Sequence, residues 1–141
     1  MHTLAVYGAS SRAEAALREI ASLVQAHGAR LTVVSVVHQE SGTIRCCGTG
    51  SAVWNKICRE LDQADLEHAF EAVDRDQRVV LDLVLSKGRH AADALIEAAR
   101  ARGADEIVLA DPRASRLGVL ERRRLRRRSP APVTAAVRSP V

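Results

Sequence analysis

Three groups of residues in this sequence are of the types that do chemistry. The first is a vicinal thiol pair, Cys46 and Cys47, with a third cysteine at Cys58. The pair lies in a polar, glycine-containing run from His38 to Gly50 (HQESGTIRCCGTG), next to Arg45 and just ahead of an expected helix start. A helix N-terminus and a neighbouring cation both favour a thiolate, so Cys46 and Cys47 are candidates for a reactive or redox-sensing site. The inert reading stands beside that one, and Cys58 reads as a small core residue one turn past Trp54. Adjacent cysteines lack the C-x2-4-C spacing of a zinc site, so no metal centre is expected.

The second group brackets two turns. Tyr7-Gly8-Ala9-Ser10-Ser11 runs from an apolar segment into a helical one, and Asp111-Pro112-Arg113-Ala114-Ser115 follows another apolar segment. Hydroxyls at a helix N-terminus, with a nearby arginine, can hold an anion. The competing reading is structural, with Ser11 capping its helix through the S-x-x-E spacing to Glu14. The third group is Arg122-Arg123-Arg124 and Arg126-Arg127-Arg128, which can grip phosphates of a nucleic acid. Six arginines spread round a helix cannot all face one partner, and aromatic residues are only 2%, too few for base stacking. A solvated face partly neutralised by Glu121 is the favoured reading, and no nucleic-acid partner is expected.

The elements that must position these groups follow from periodicity. Leu4 to Tyr7, Leu31 to Val37, Val79 to Leu85, Glu106 to Ala110 and Val133 to Val137 read as strands, short and rich in β-branched residues. Between them, Ala13, Leu17, Ile20 and Val24 repeat at helical spacing up to Gly28. A long helix is expected over 51–73, with Trp54, Ile57 and Leu61 on its inner face and Leu66, Phe70 and Val73 continuing it. Ala91 to Arg102 is a third helix, closed by Gly103. A fourth should start at Ser115, place Leu117, Leu120 and Leu125 inward, and end before Pro130 and Pro132. Asp82 within its strand points to an edge or a wet face. Alternation of this kind predicts a parallel sheet with helices on both faces, a Rossmann-like α/β fold. Ligands of such sheets bind outside the carboxyl ends of the strands.

Composition sets the outer limits. The 141 residues suit one domain, 1–141, and 47% apolar with 27% charged is the balance of a globular protein. With so few aromatics, the core must be built from Ala, Val, Leu and Ile. No stretch approaches a membrane span and the start MHTLAVYGAS is unlike a secretion signal, so no membrane is expected and the cytoplasm is. An odd number of cysteines in such a chain argues against a disulfide framework. The net charge of +4 is unevenly spread, with eight arginines between Arg113 and Arg128 and a mostly acidic stretch over 60–76.

Taken together, the first strand ending in Gly8 and Ser10, the segment GRHAADALIEAARARGADEIVLAD from Gly88 to Asp111 and the close SPAPV from Ser129 to Val133 resemble a universal stress protein domain. The resemblance runs over nearly the whole chain. It implies the strand order 3-2-1-4-5, a ligand crevice at the ends of strands 1 and 4, and a homodimer through Val133 to Val137. It marks Tyr7, Gly8, Ser10, Ser11, Val37, Asp111, Arg113 and Ser115 as ligand-binding candidates. Members that bind ATP carry an Asp where Tyr7 stands, and G-x-x-G followed by G-[ST] after strand 4. Here that stretch reads ADPRASRLGVLE, with Gly118 its only glycine. The resemblance therefore implies a stress-associated regulatory or binding protein, not an enzyme, without the family's ATP site. The alternatives are a thiol-based redox sensor or enzyme using Cys46 or Cys47, and a weak AMP or ATP binder at the strand 1 and strand 4 crevice.

Overall fold

The computed structural model describes residues 1–8, 10–39, 51–71, 79–87, 90–112 and 116–135. Cys46, Cys47, Arg113, Ser115, Phe70 as a side chain, Val73, and the strand end beyond Ala135 lie outside what it describes. In chain order the elements are β1 (His2–Val6), α1 (Ser11–Ala26), β2 (Arg30–Gln39), α2 (Ser51–Glu71), β3 (Val79–Lys87), α3 (Ala91–Arg102), β4 (Glu106–Leu109), α4 (Val119–Arg128) and β5 (Val133–Ala135). All five strands are parallel, in the order β3-β2-β1-β4-β5. The expected fold and strand order are both present.

Two apolar layers hold the sheet. On one face Ala5, Leu31, Val33 and Val108 meet Ala13, Leu17, Ile20 and Val24 of α1 and Leu66 of α2. On the other, Leu4, Val6, Val34, Val36, Ile107 and Leu109 meet Leu95, Ile96 and Ala99 of α3 and Leu125 of α4. Successive residues of a strand point to opposite faces, so β1 needs apolar residues at every inner position, and Leu4, Ala5 and Val6 are fully buried. β3 lies at an edge, as Asp82 suggested. The Asp82 carboxylate pairs with Arg102 and accepts from the Leu83 N–H at 2.8 Å, which places charge on an otherwise open strand.

Helix ends differ from the sequence expectations in two places. The N-cap of α1 is Ser10, not Ser11: its backbone is extended and its hydroxyl accepts from the Ala13 N–H at 3.0 Å. α4 starts at Val119 behind Gly118, so Leu117 precedes the helix. Leu117 and Leu125 are buried, but Leu120 is 77% exposed. The later start rotates Leu120 away from the sheet. Glu121 does not neutralise the arginines either; its carboxylate accepts from the Ala92 N–H at 2.9 Å and caps α3. Asp93 takes that role, pairing with Arg124 at 3.1 Å and Arg128 at 3.8 Å.

α2 also turns a different face inward. The expected inner stripe is largely exposed, with Trp54 at 37%, Ile57 at 41% and Leu61 at 62%, whereas Asp62 and Leu66 are buried. Cys58, Asp62 and Leu66 form the inward row at four-residue spacing, with Cys58 half-buried. A carboxylate inside an apolar row is a site to be explained.

Two measurements check this packing. Leu125→Ala should cost about 3 kcal/mol in denaturant unfolding, from lost burial and a residual cavity, while Leu120→Ala should stay within about 0.5 kcal/mol. Equal losses would place Leu120 in the core after all. Tyr7 is packed among Ala5, Ala13, Leu17 and Leu66, and burial, reinforced by Glu14 and Asp65, pushes its phenol above the ordinary value of 10.0. It is the only tyrosine, so phenolate absorbance titrates it alone. The native midpoint should lie above that of the unfolded chain. Between the two values the folded state holds the extra proton, so stability should fall as pH rises past about 10. A native midpoint at or below the unfolded one would contradict the buried placement.

Candidate functional site

The order of the sheet creates the site. From β1 the chain passes through α1 to β2 on one side, and β4 lies on the other, so the connections diverge at the carboxyl ends of β1 and β4. At this point Ser10 performs two tasks. Its hydroxyl caps α1 and donates to the Asp111 carboxylate at 3.1 Å, joining the start of α1 to the end of β4. Asp111 is buried. Ser11 is exposed on the first turn of α1, Gly8 is buried behind it, and Tyr7 points into the core rather than into the crevice. The structure thus brings Ser10 and Asp111 together and removes the Tyr7 ring from the solvent side.

Beside this point, at the carboxyl end of β2, lies an open cleft of about 650 Å³. Val37, His38 and Gln39 form its floor, Trp54, Cys58, Leu61, Asp62 and Asp65 its α2 wall, and Arg116 its opposite rim. Of the sequence candidates among the described residues, Val37 alone lines it. Its charged centre is a two-pronged ion pair: the two terminal nitrogens of Arg116 each lie 2.5 Å from one Asp62 carboxylate oxygen. The same guanidinium donates to the Val36 carbonyl at 3.3 Å. The Asp62 hydrogen bonds hold Arg116 charged, above its already high ordinary value, against burial that works in the opposite direction.

The backbone of Arg116 shows what this pairing costs. Its φ is 63°, in the left-handed region that disfavours any residue with a Cβ, by about 1–2 kcal/mol. Nothing in the local sequence ASRLG requires that conformation. The residue held there is the counter-ion of Asp62, whose side chain is only 4% exposed and would otherwise be a buried charge without a partner. The His38 Nε2 lies 3.3 Å from the Arg116 carbonyl and, as the donor there, ties the same turn to β2.

The site residues that sequence reasoning missed are Trp54, Leu61, Asp62, Asp65 and Arg116. Asp62 carried a signal, since it falls between Cys58 and Leu66 on one i, i+4 row. Arg116 carried none, because its role depends on a positive φ and on a partner 54 residues away. Arg113, Ser115, Cys46 and Cys47 lie outside the described residues.

No family model matches the chain, and no curated protein does. Solved structures do. The chain is similar to a protein from the universal stress protein family from Burkholderia pseudomallei, at 25% identity over 94% of this chain and 93% of that one, with a TM-score of 0.67. It is similar to the universal stress protein from Archaeoglobus fulgidus in complex with dAMP, at 20% identity over 95% and 94% of the two chains, with a TM-score of 0.60. A universal stress protein in complex with cAMP matches at 20% identity over 98% of both chains, with a TM-score of 0.64. The strand order agrees with the resemblance carried by Gly88 to Asp111, and the likeness extends over nearly the full length of each partner. On these grounds the chain has the fold of the universal stress proteins.

Proposed function

We propose that this protein is a stress-associated regulatory or binding protein of the universal stress protein type, working by recognition and not by catalysis, and without the family's ATP site. One observation carries the reading: the Ser10 hydroxyl at the start of α1 is hydrogen-bonded to a buried carboxylate, Asp111, where a phosphate chain would need donors. A carboxylate already at that place repels a second anion, and the glycines that would let phosphates approach the backbone are missing from ADPRASRLGVLE. In the cleft at the end of β2 the charges, among the described residues, are Asp62, Asp65 and Arg116. Two structural neighbours are complexes with dAMP and cAMP, so adenine monophosphates belong in the test. Titration calorimetry with ATP, AMP and cAMP should give no micromolar affinity for ATP. A micromolar ATP constant would overturn the reading.

The same reading includes a homodimer through β5. Val133, Thr134 and Ala135 pair with β4 on one side only among the described residues, and Thr134 and Ala135 are exposed. An uncharged three-residue edge leaves backbone donors and acceptors for a second copy, and two-fold symmetry is the commonest arrangement for such a pair. On the α1 side of the sheet this edge borders a groove of about 280 Å³ that includes Ile20, Leu23 and Val24, with Leu23 59% exposed. Sedimentation over a concentration series should show a dimer for the wild type and a weaker one for Ala135→Pro. A wild type that remains monomeric at high concentration removes the interface.

A further inference from the structure

The cleft at the end of β2 allows its ligand to be described by chemical class, an inference that rests on the reading that this chain holds no triphosphate there. Its volume, about 650 Å³, is in the range of small-molecule sites. Its wall joins an indole, Trp54, to the aliphatic side chains of Val37 and Leu61. Three side chains in it carry full charge. Two of them, Asp62 and Arg116, are spent on each other through both prongs of the guanidinium. The third, Asp65, is half-buried and has neither an ion-pair nor a hydrogen-bond partner among the described residues.

Among the described residues, that leaves the cleft with two carboxylates against one guanidinium, and the uncommitted one of these three charges is negative. Asp65 is not remote from the rest: it lines the same cleft as Arg116, and its field acts on that guanidinium. An anionic ligand would face Asp65 directly and would have to displace Asp62 to gain Arg116. A neutral ligand would bury a carboxylate without pairing it, at the cost of its hydration. A cation with an apolar body meets neither obstacle, and an aromatic face beside a carboxylate attracts it twice, by charge and by the ring quadrupole.

We propose that this cleft binds an organic cation, an ammonium or guanidinium group carried on an apolar body, with the charge at Asp65 and the body against Trp54, Val37 and Leu61. The site would then lie beside the crevice at the ends of β1 and β4 and accept a ligand of the opposite sign.

Trp54 is the only tryptophan in the chain, so its emission reports the cleft directly. Phenethylammonium, the neutral 2-phenylethanol and the anionic 3-phenylpropionate are titrated into the full-length protein, with ATP titrated in parallel. Phenethylammonium should change Trp54 emission saturably and bind at least about tenfold more tightly than 2-phenylethanol, with 3-phenylpropionate weakest. Added salt should weaken only the cation. Asp65→Asn should bring the cation to within about twofold of the alcohol. Equal affinities for the three compounds, no saturable response to the cation, or an Asp65→Asn protein that binds it as well as the wild type would each overturn the proposal. Should the variant not fold, the preference of the wild type for the cation over the alcohol decides alone. The ATP titration separates the two levels of inference. Failure of the cation with no ATP binding overturns this proposal only, whereas micromolar ATP overturns the preceding reading and this one with it.

Discussion

Everything in this molecule depends on the double burial of β1. A strand with neighbours on both sides and helices over both faces must be apolar at each inner position, and it must have every backbone group taken up by its neighbours. β1 is apolar from Leu4 to Val6, its buried Thr3 hydroxyl donates to the Glu106 carboxylate at 2.8 Å, and its parallel ladders to β2 and β4 are extended by the Tyr7 N–H to the Val34 carbonyl at 2.8 Å and the Ala110 N–H to the Val6 carbonyl at 3.0 Å. Because β1 is central, the crossovers must leave it in two directions, α1 and α2 covering one face and α3 and α4 the other. The crevice at its carboxyl end is a consequence of that topology. It exists whatever residues line it, which is why the fold alone cannot say what it binds.

The ion pair of Asp62 and Arg116 is the point where this chain departs from what the fold requires. A wholly apolar row of Cys58, position 62 and Leu66 would serve α2 packing better, since replacing a buried pair by apolar residues is often neutral or stabilising. Instead the chain accepts a buried carboxylate and a left-handed arginine. Both meet at the same place, the end of β2, where the Val36 carbonyl accepts from the Arg116 guanidinium and His38 bonds to the Arg116 carbonyl. Local strain matched by a specific partner in a cleft is a pattern expected of binding sites, and here it fixes one rim of the site in position.

The sequence made the fold legible because its strongest signals were redundant. LTVVSVV cannot be a surface helix, the Ala-rich run from Ala91 to Arg102 ends at a left-handed Gly103, and the alternation of the two types leaves few topologies. The site was less legible, and the misses share one cause. Leu120 and the stripe Trp54, Ile57 and Leu61 are apolar residues at helical spacing, yet both are exposed. Periodicity identifies a face but not which way that face points; a start displaced from Ser115 to Val119, or one carboxylate with a partner on another loop, rotates the answer. Ser10 and Ser11 differ in role for the same reason. Either fits a cap by type, and only the extended backbone at Ser10 decides.

The arginines of α4 show how such rotation changes a functional inference. Counted in the sequence, they suggest a polyanion grip. Placed in the structure, Arg124 and Arg128 hold Asp93, Glu121 caps α3, and Leu125 anchors the helix to the sheet. Much of the charge on this helix therefore supports the packing of α3 against α4. The carboxylates follow the opposite course: Asp62, Asp65 and Asp111 are scattered through the sequence, yet the fold gathers them around the carboxyl ends of β1, β2 and β4. A chain of net charge +4 thus presents, among its described residues, a cleft with more carboxylates than cations. Net charge is a property of the whole surface, whereas recognition depends on the few groups left uncommitted inside one pocket, and among the described charged groups of this pocket that group is Asp65.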